Sequence, residues 1–276
     1  MQMGLVAIDA RDWIALGPDA RGQLIEKRRL LAERHAEVFA ALPGTEAAGA
    51  EVVDLLFDHL PRRFPTASPR MEDVIAVAAT GEMISRRHPA LHPLDTAGRL
   101  VPEDLCLMRE DADGLYRLVA ASLCFPSRWR LADKLGHPLA HIHGPVPDYP
   151  AKLERPVDRF FAALKPDRIV ERHNWTIHDR PDLFQPTGGA RRAHEVPESR
   201  FGEDLFLRVE RQTLRRLPRA GDVLFAIRTH RAPLGTLAPA DARRLGGAIA
   251  GLPPAERGYK GVAKIADALA AFLASR

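Results

Sequence analysis

Histidine, arginine and proline crowd into one stretch of the chain, Phe125 to Tyr149, which reads FPSRWRLADKLGHPLAHIHGPVPDY. Each proline ring holds its own φ near about −65° and restricts the residue before it, so a histidine in such a loop keeps one direction without a helix to support it. That is how a metal-facing ligand can be built. His141 and His143 flank Ile142, and in extended backbone residues two apart project to the same side, as in some zinc sites; Asp148 follows downstream. The chain supplies no clearly spaced third ligand, which weakens a zinc hydrolase reading. A site that needs only one imidazole leaves His141, His143 and His173, beside Asn174 and Trp175, as alternatives that the residues alone do not decide between.

What must position these residues is a run of alternating elements. Gln23 to Leu42 sets Leu24, Leu31 and Val38 at heptad spacing, with Ile25 and Phe39 beside them, and predicts one amphipathic helix. Val52 to Leu60 predicts a second, closed by Pro61. Prolines and glycines interrupt Phe64 to Leu100, which is expected to wrap the core as an arm or lid. Asp104 to Met108 and Leu115 to Leu123 read as strands joined through Asp111-Ala112-Asp113-Gly114, a hairpin signal. Helical pieces follow at Leu131 to Leu135 and Val157 to Leu164. Three more strands come next, Ile169 to Ile177, Leu205 to Leu214 and Val223 to Thr229, the last two joined by Pro218 to Asp222. Pro239 to Leu252 and Val262 to Leu273 predict terminal helices, with Val262, Ile265, Ala266 and Leu269 on one face.

Composition narrows the function. The 276 residues are 46% hydrophobic, enough for a full core, yet no apolar run approaches the ~20 residues that span a bilayer. The first residues, MQMGLVAIDARDW, lack the basic start and apolar stretch of a secretory signal, so a cytoplasmic protein is expected. A net charge of +4 invites nucleic acid, but the basic residues are interleaved with 36 acidic ones, which speaks against a phosphate track. Cys106 and Cys124 are too few for a four-thiolate iron–sulfur cluster and read as buried small hydrophobes. Gly188-Gly189 stands alone, with no dinucleotide-binding loop. An oxidase built on this chain therefore needs electrons from outside. Some arginines are better suited to anionic groups on a cofactor, because guanidinium pairs with carboxylates in a bidentate way.

The Phe125 to Tyr149 block, together with Arg172-His173-Asn174-Trp175 and Glu210-Arg211-Gln212-Thr213-Leu214, resembles the heme-dependent oxidative N-demethylase family. The likeness runs in order from Lys27-Arg28-Arg29-Leu30-Leu31 to Tyr259-Lys260-Gly261. It implies an α+β, PAS-like antiparallel sheet with helices packed on one face. Helical extensions are expected at both ends: an N-terminal arm over 1–100, a heme-binding core over 101–232 and C-terminal helices over 233–276, integrated as one domain. It implies heme b, with His143 as the axial ligand. Arg128, Arg172, Arg211 and Arg228 are the candidates for its propionates, no more than two of them in contact. Phe160, Phe161, Leu164, Leu224, Phe225 and Ile227 are the candidates for an apolar slot, a role compatible with ordinary core packing.

The reaction implied is oxidation of a methyl group on a small secondary amine by O2, releasing formaldehyde, with electrons from a separate flavin and iron–sulfur reductase. An alkylammonium substrate needs a carboxylate or an aromatic face, for which Glu210 and Tyr149 are the candidates. Their bland alternatives are an ion pair of Glu210 with Arg211 or Arg172, and packing of Tyr149 on the proline loop. A heme-binding sensor or carrier without turnover is the other class to separate.

Overall fold

The computed structural model describes residues 4–142, 154–187 and 193–276; His143 and Tyr149 lie outside them. The strands are β1 (Val6–Ile8), β2 (Phe39–Ala41), β3 (Arg70–Met71), β4 (Val74–Val77), β5 (Glu82–Ser85), β6 (Asp104–Glu110), β7 (Tyr116–Ser122), β8 (Ile169–His178), β9 (Phe206–Arg216) and β10 (Val223–Pro233). The helices are α1 (Ala20–Glu33), α2 (His35–Val38), α3 (Glu46–Arg63), α4 (Pro93–Gly98), α5 (Leu139–Ile142), α6 (Glu154–Ala163), α7 (Phe201–Asp204), α8 (Pro239–Ala250), α9 (Pro254–Tyr259) and α10 (Ala266–Ala274). Seven strands form one sheet in the order β1-β8-β9-β10-β6-β7-β2, antiparallel throughout, and β3, β4 and β5 form a small second sheet.

Strand alternation divides the sheet into two faces. Leu105, Leu107, Val119, Ala120, Leu224 and Ala226 pack with Val52, Val53, Leu56, Phe57 and Leu60 of α3, so this is the arm face. Cys106, Met108, Leu118, Ala121, Leu214 and Val223 pack with Phe161 of α6 and with Leu164, which makes the α6 face. A bulge lets β7 serve both sides: Leu107 pairs with Ala120 but Met108 pairs with Leu118, so Val119 is the extra residue. Full burial of each of these large apolar side chains is worth about 1.5–3 kcal/mol. Arg216 pins α6 to the sheet, donating to Phe161 O (2.5 Å), Leu164 O (2.7 Å) and Tyr116 Oη (2.9 Å).

Several expected boundaries move, each for a tertiary reason. The first helix stops at Glu33 instead of reaching Leu42, because Phe39, Ala40 and Ala41 pair with Ser122, Ala121 and Ala120 as an edge strand. Ile25 is 45% exposed and off the buried stripe of Leu24, Leu31 and Val38. Pro61 lies inside α3, which continues to Arg63. The stretch expected to be broken up by prolines holds the small sheet and α4. The last helix starts at Ala266, preceded by α9 and by Gly261 at φ +81°, although Val262, Ile265, Ala266 and Leu269 are all buried as the pattern required.

Candidate functional site

The antiparallel register places every even-numbered residue from Val170 to His178 on the α6 face. Val170 stands opposite Leu214, Arg172 opposite Gln212, Asn174 opposite Glu210 and Thr176 opposite Arg208. On the next strand Phe225 is level with Leu214, Ile227 with Gln212 and Thr229 with Glu210. The face is therefore graded. Val170, Leu214 and Phe225 make an apolar shelf beside Phe161, and a polar strip of Arg172, Asn174, Glu210, Gln212 and Arg208 follows it.

Glu210 is held within this strip. Gln212 Nε2 donates to its Oε2 at 3.0 Å, and the guanidinium of Arg208 lies 3.5 Å from its Oε1. Arg208 also donates to Leu183 O (3.1 Å) and Phe125 O (2.5 Å). The ion pair of Glu210 is thus with Arg208, not with the Arg211 or Arg172 that its neighbourhood in sequence suggests. Two lysines that sequence reasoning missed complete the strip. Lys134 donates to Ile142 O (2.9 Å) and lies over the Trp129 ring. Lys260 donates to Asn174 Oδ1 (2.8 Å) and Trp175 O (3.0 Å). Burial pulls both ammonium groups down to about 8, against the opposing pull of Glu210 on each.

Arg172 projects onto this face, and its Nε is buried with no hydrogen-bond partner among the described residues. Phe161 and Phe225 lie on the same face, Phe161 with its ring 5.1 Å from that of Tyr116. Arg211 and Arg228 are level with His173 in a row that faces the other way. Arg211 is occupied by Glu171 Oε2 (2.7 Å), Trp13 O (3.1 Å) and Asp12 O (2.5 Å), and Arg228 by Asp19 Oδ1 (2.7 Å) and Ala15 O (3.2 Å). The exposed His173 is likewise on the arm side. Leu224 belongs to the arm-face core and not to an α6-side slot. Arg128, at φ +64°, pairs with Asp179 (2.7 Å) at the end of the sheet.

Near Arg128 lies His178, 2% exposed and not singled out from sequence. Its Nδ1 and Nε2 sit 3.0 Å from Gln185 Oε1 and 2.9 Å from Thr176 Oγ1. Burial, then the charges of Arg208 and Arg128, hold it neutral down to about 3. His141 stacks on His137 with ring centroids 4.0 Å apart. Among the described residues no group of three or more His, Cys, Asp or Glu side chains is placed to hold a metal ion. Cys106 and Cys124 are both buried, and burial pushes their thiols far up, Cys124 to about 12, as inert packing groups. A depression lined by His194, Gly258, Gly261, Ala263, Lys264 and Ile265 measures about 150 Å3, below the ~300 Å3 at which ligand pockets begin.

An α+β protein that gathers basic side chains and one carboxylate over an apolar shelf is equipped to hold an anionic, largely apolar group together with a small charged partner. The chain belongs to the haem-dependent oxidative N-demethylase, alpha subunit-like family, whose model matches residues 4–270, nearly the whole chain. The α6 face fits the group this family uses. The shelf is apolar, and the partnerless Nε of Arg172 is a donor that a carboxylate would satisfy. No helix among the described residues is long and apolar enough to cross a membrane.

Proposed function

We propose that the chain is the oxygen-using subunit of an oxidative N-demethylase that binds heme b on the α6 face. The substrate is a small secondary or methylated amine, and the products are the demethylated amine and formaldehyde. The family match over residues 4–270 carries this reading. The order of the five central strands, β7-β6-β10-β9-β8, with α5 and α6 between β7 and β8, supports a PAS-like core. Heme, when bound, supplies the oxygen activation and the electron acceptance that no side chain here offers.

In this proposal Phe161 and Phe225 line the slot and Arg172 binds a propionate, with Arg128 the next candidate. His143 would hold the heme iron and Tyr149 would offer its aromatic face to the substrate; both assignments rest on the sequence. Glu210 is the carboxylate nearest the strip and holds the alkylammonium, while Arg208 and Gln212 fix its orientation. The absence of a dinucleotide-binding loop and the small number of cysteines in the sequence favour electrons from a separate flavin and iron–sulfur reductase. A cytoplasmic location is part of the same proposal.

The test is an absorbance spectrum of the full chain purified with adequate heme supply. A strong Soret band is expected. His143→Ala should largely remove it or change its ligation pattern, and adding a small secondary amine should shift it. Formaldehyde should appear only when a reductase is supplied. Absence of a Soret band would overturn the reading. A Soret band with neither an amine shift nor formaldehyde would assign the chain to the heme sensors or carriers.

A further inference from the structure

The 40 basic residues of the chain are arginine at all but six positions: Lys27, Lys134, Lys152, Lys165, Lys260 and Lys264. Where arginine serves almost every ion pair, a buried lysine marks a place that asks for something guanidinium does not offer. An ammonium is compact and can give up its proton, whereas guanidinium stays charged throughout the accessible pH range. Lys27 is explained by packing, since it bridges α1 to Val101 O (3.0 Å) and Glu103 O (2.5 Å) beside the buried carboxylates of Glu103 and Asp104. Lys260 has a different setting.

Lys260 sits at the end of α9 in a turn fixed against β8. Its carbonyl accepts from Ile177 N at 2.9 Å. The next residue, Gly261, has φ +81°, and a Cβ there would stand 2.4 Å from Ile177 O, so the turn approaches as closely as backbone allows. Lys260 is 7% exposed and its side chain reaches the polar strip, where Nζ meets two acceptors, Asn174 Oδ1 and Trp175 O. A neutral primary amine has two N–H bonds and one lone pair. Those acceptors use both hydrogens and leave the lone pair for an electrophile. The Trp175 and Tyr259 rings, 4.8 and 5.5 Å from Nζ, favour the charged form, as do Glu256 and Glu210. Arg172 opposes it, and burial outweighs them all.

We propose that Lys260 is a carbonyl-reactive lysine that takes a small aldehyde, formaldehyde being the smallest, as a reversible covalent adduct at the edge of the α6-face site. The source of the aldehyde rests on the N-demethylase reading; the reactivity of the amine does not. Nζ attacks the carbonyl carbon, forming the C–N bond as the C=O π pair moves to oxygen. That oxygen takes a proton and the nitrogen loses one, giving a carbinolamine. Protonation of its hydroxyl and loss of water give an iminium, and water returning to its carbon, with release of that proton, gives back aldehyde and amine unchanged. No oxidant or reductant is consumed.

Brief treatment of the native full chain with formaldehyde and cyanoborohydride traps the iminium as N-methyl-lysine, which peptide mapping locates. A lysine near 8 carries roughly a few hundredfold more neutral amine at pH 7 than an ordinary one. After allowance for burial, Lys260 should be methylated at least about tenfold faster than the exposed Lys165 and Lys264. That lead should shrink at pH 10, where the exposed amines also lose their protons. Lys260→Arg, which keeps donors for both acceptors, should remove the fast site and leave the melting temperature close to that of the parent. Methylation of Lys260 at or below the rate of Lys165 and Lys264 at pH 7 would overturn the proposal. A fast Lys260 in a protein with no Soret band would defeat the N-demethylase reading alone, and a Soret-active protein with a slow Lys260 would defeat this inference alone.

Discussion

On the arm face, Lys27 ends on two carbonyls, Arg228 on Asp19 and Ala15 O, and Arg211 on Glu171 and two more carbonyls, so cations there bind the N-terminal segment to the sheet. On the α6 face, Arg208, Lys134 and Lys260 all lie within the influence of Glu210, with Asp104, Asp133 and Glu256 each adding to one of them, while Arg172 Nε has no partner among the described residues. Both sides use cations for structure, and both leave a buried guanidinium nitrogen without a hydrogen bond among the described residues, Arg228 Nη1 and Arg215 Nε on the arm face and Arg172 Nε on the other; what sets the α6 face apart is its two lysines, which burial draws down to about 8. An unmatched buried donor costs free energy, so Arg172, on the face that also carries Glu210 and the two lysines, is suited to an anionic guest.

The comparison is broken most severely by removing a cation from the first face. Lys27→Met strips two carbonyls of their donor and leaves Glu103 and Asp104 buried without that charge. A loss of about 3–5 kcal/mol is expected, read from urea denaturation. Burial already raises both carboxyls, and Lys27 is among the groups that pull them back. A carboxyl raised on folding binds more protons in the folded state, so stability falls as pH rises. The deficit of the variant should therefore be larger at pH 8 than at pH 5. A loss below about 1 kcal/mol, of the size of a single ordinary hydrogen bond, would show that the arm is not held by charge.

His178 tests the second face through pH. Its folded form resists protonation down to about 3, whereas the unfolded chain protonates near the ordinary 6.5. Below 6.5 the unfolded state gains a proton that the folded state does not, so stability present at neutral pH is lost as pH falls. One proton corresponds to about 1.4 kcal/mol per pH unit, or roughly 2–3 kcal/mol between pH 6.5 and 4.5. His59, held down to about 4 chiefly by burial, adds to the same trend. His178→Gln should flatten the slope by about one proton and leave the His59 part. Parallel stability curves for the variant and the parent would remove His178 as the acid-sensitive group.

How far such sites can be read in advance differs by residue. The hairpin at Asp111 to Gly114 and the alternation along β8, β9 and β10 are local signals, and the strands formed where those signals lie. Alternation also says that Arg172 and His173 face opposite ways. It does not say which face is the arm's, because that depends on pairings such as Leu224 with Leu107 that join distant segments. Arg172 and Arg228 therefore look alike in sequence and end on opposite sides of the sheet. Lys260 is harder still: its acceptor Trp175 O lies 85 positions away, and no periodic pattern connects them. The scarcity of lysine was the one available hint. The family likeness supplied what spacing did not, the nature of the cofactor and the class of reaction.

The smallest expected effect comes from the group on which the comparison turns. Glu210→Gln keeps the shape and removes the charge. Arg208, nearly fully buried, retains its bonds to Leu183 O, Phe125 O and Thr229 Oγ1, so the protein should lose only about 1–2 kcal/mol. Ligand binding should respond more. The excess of cations on the α6 face grows by one, so a small alkylammonium should bind about tenfold more weakly, an electrostatic loss of about 1.4 kcal/mol, with heme content close to that of the parent. Amine titrations followed by the Soret shift, run beside a melting curve, separate these effects. If amine affinity is unchanged while stability falls, Glu210 is the counter-ion of Arg208 and nothing more, and the α6 face then treats its charge as the arm face does.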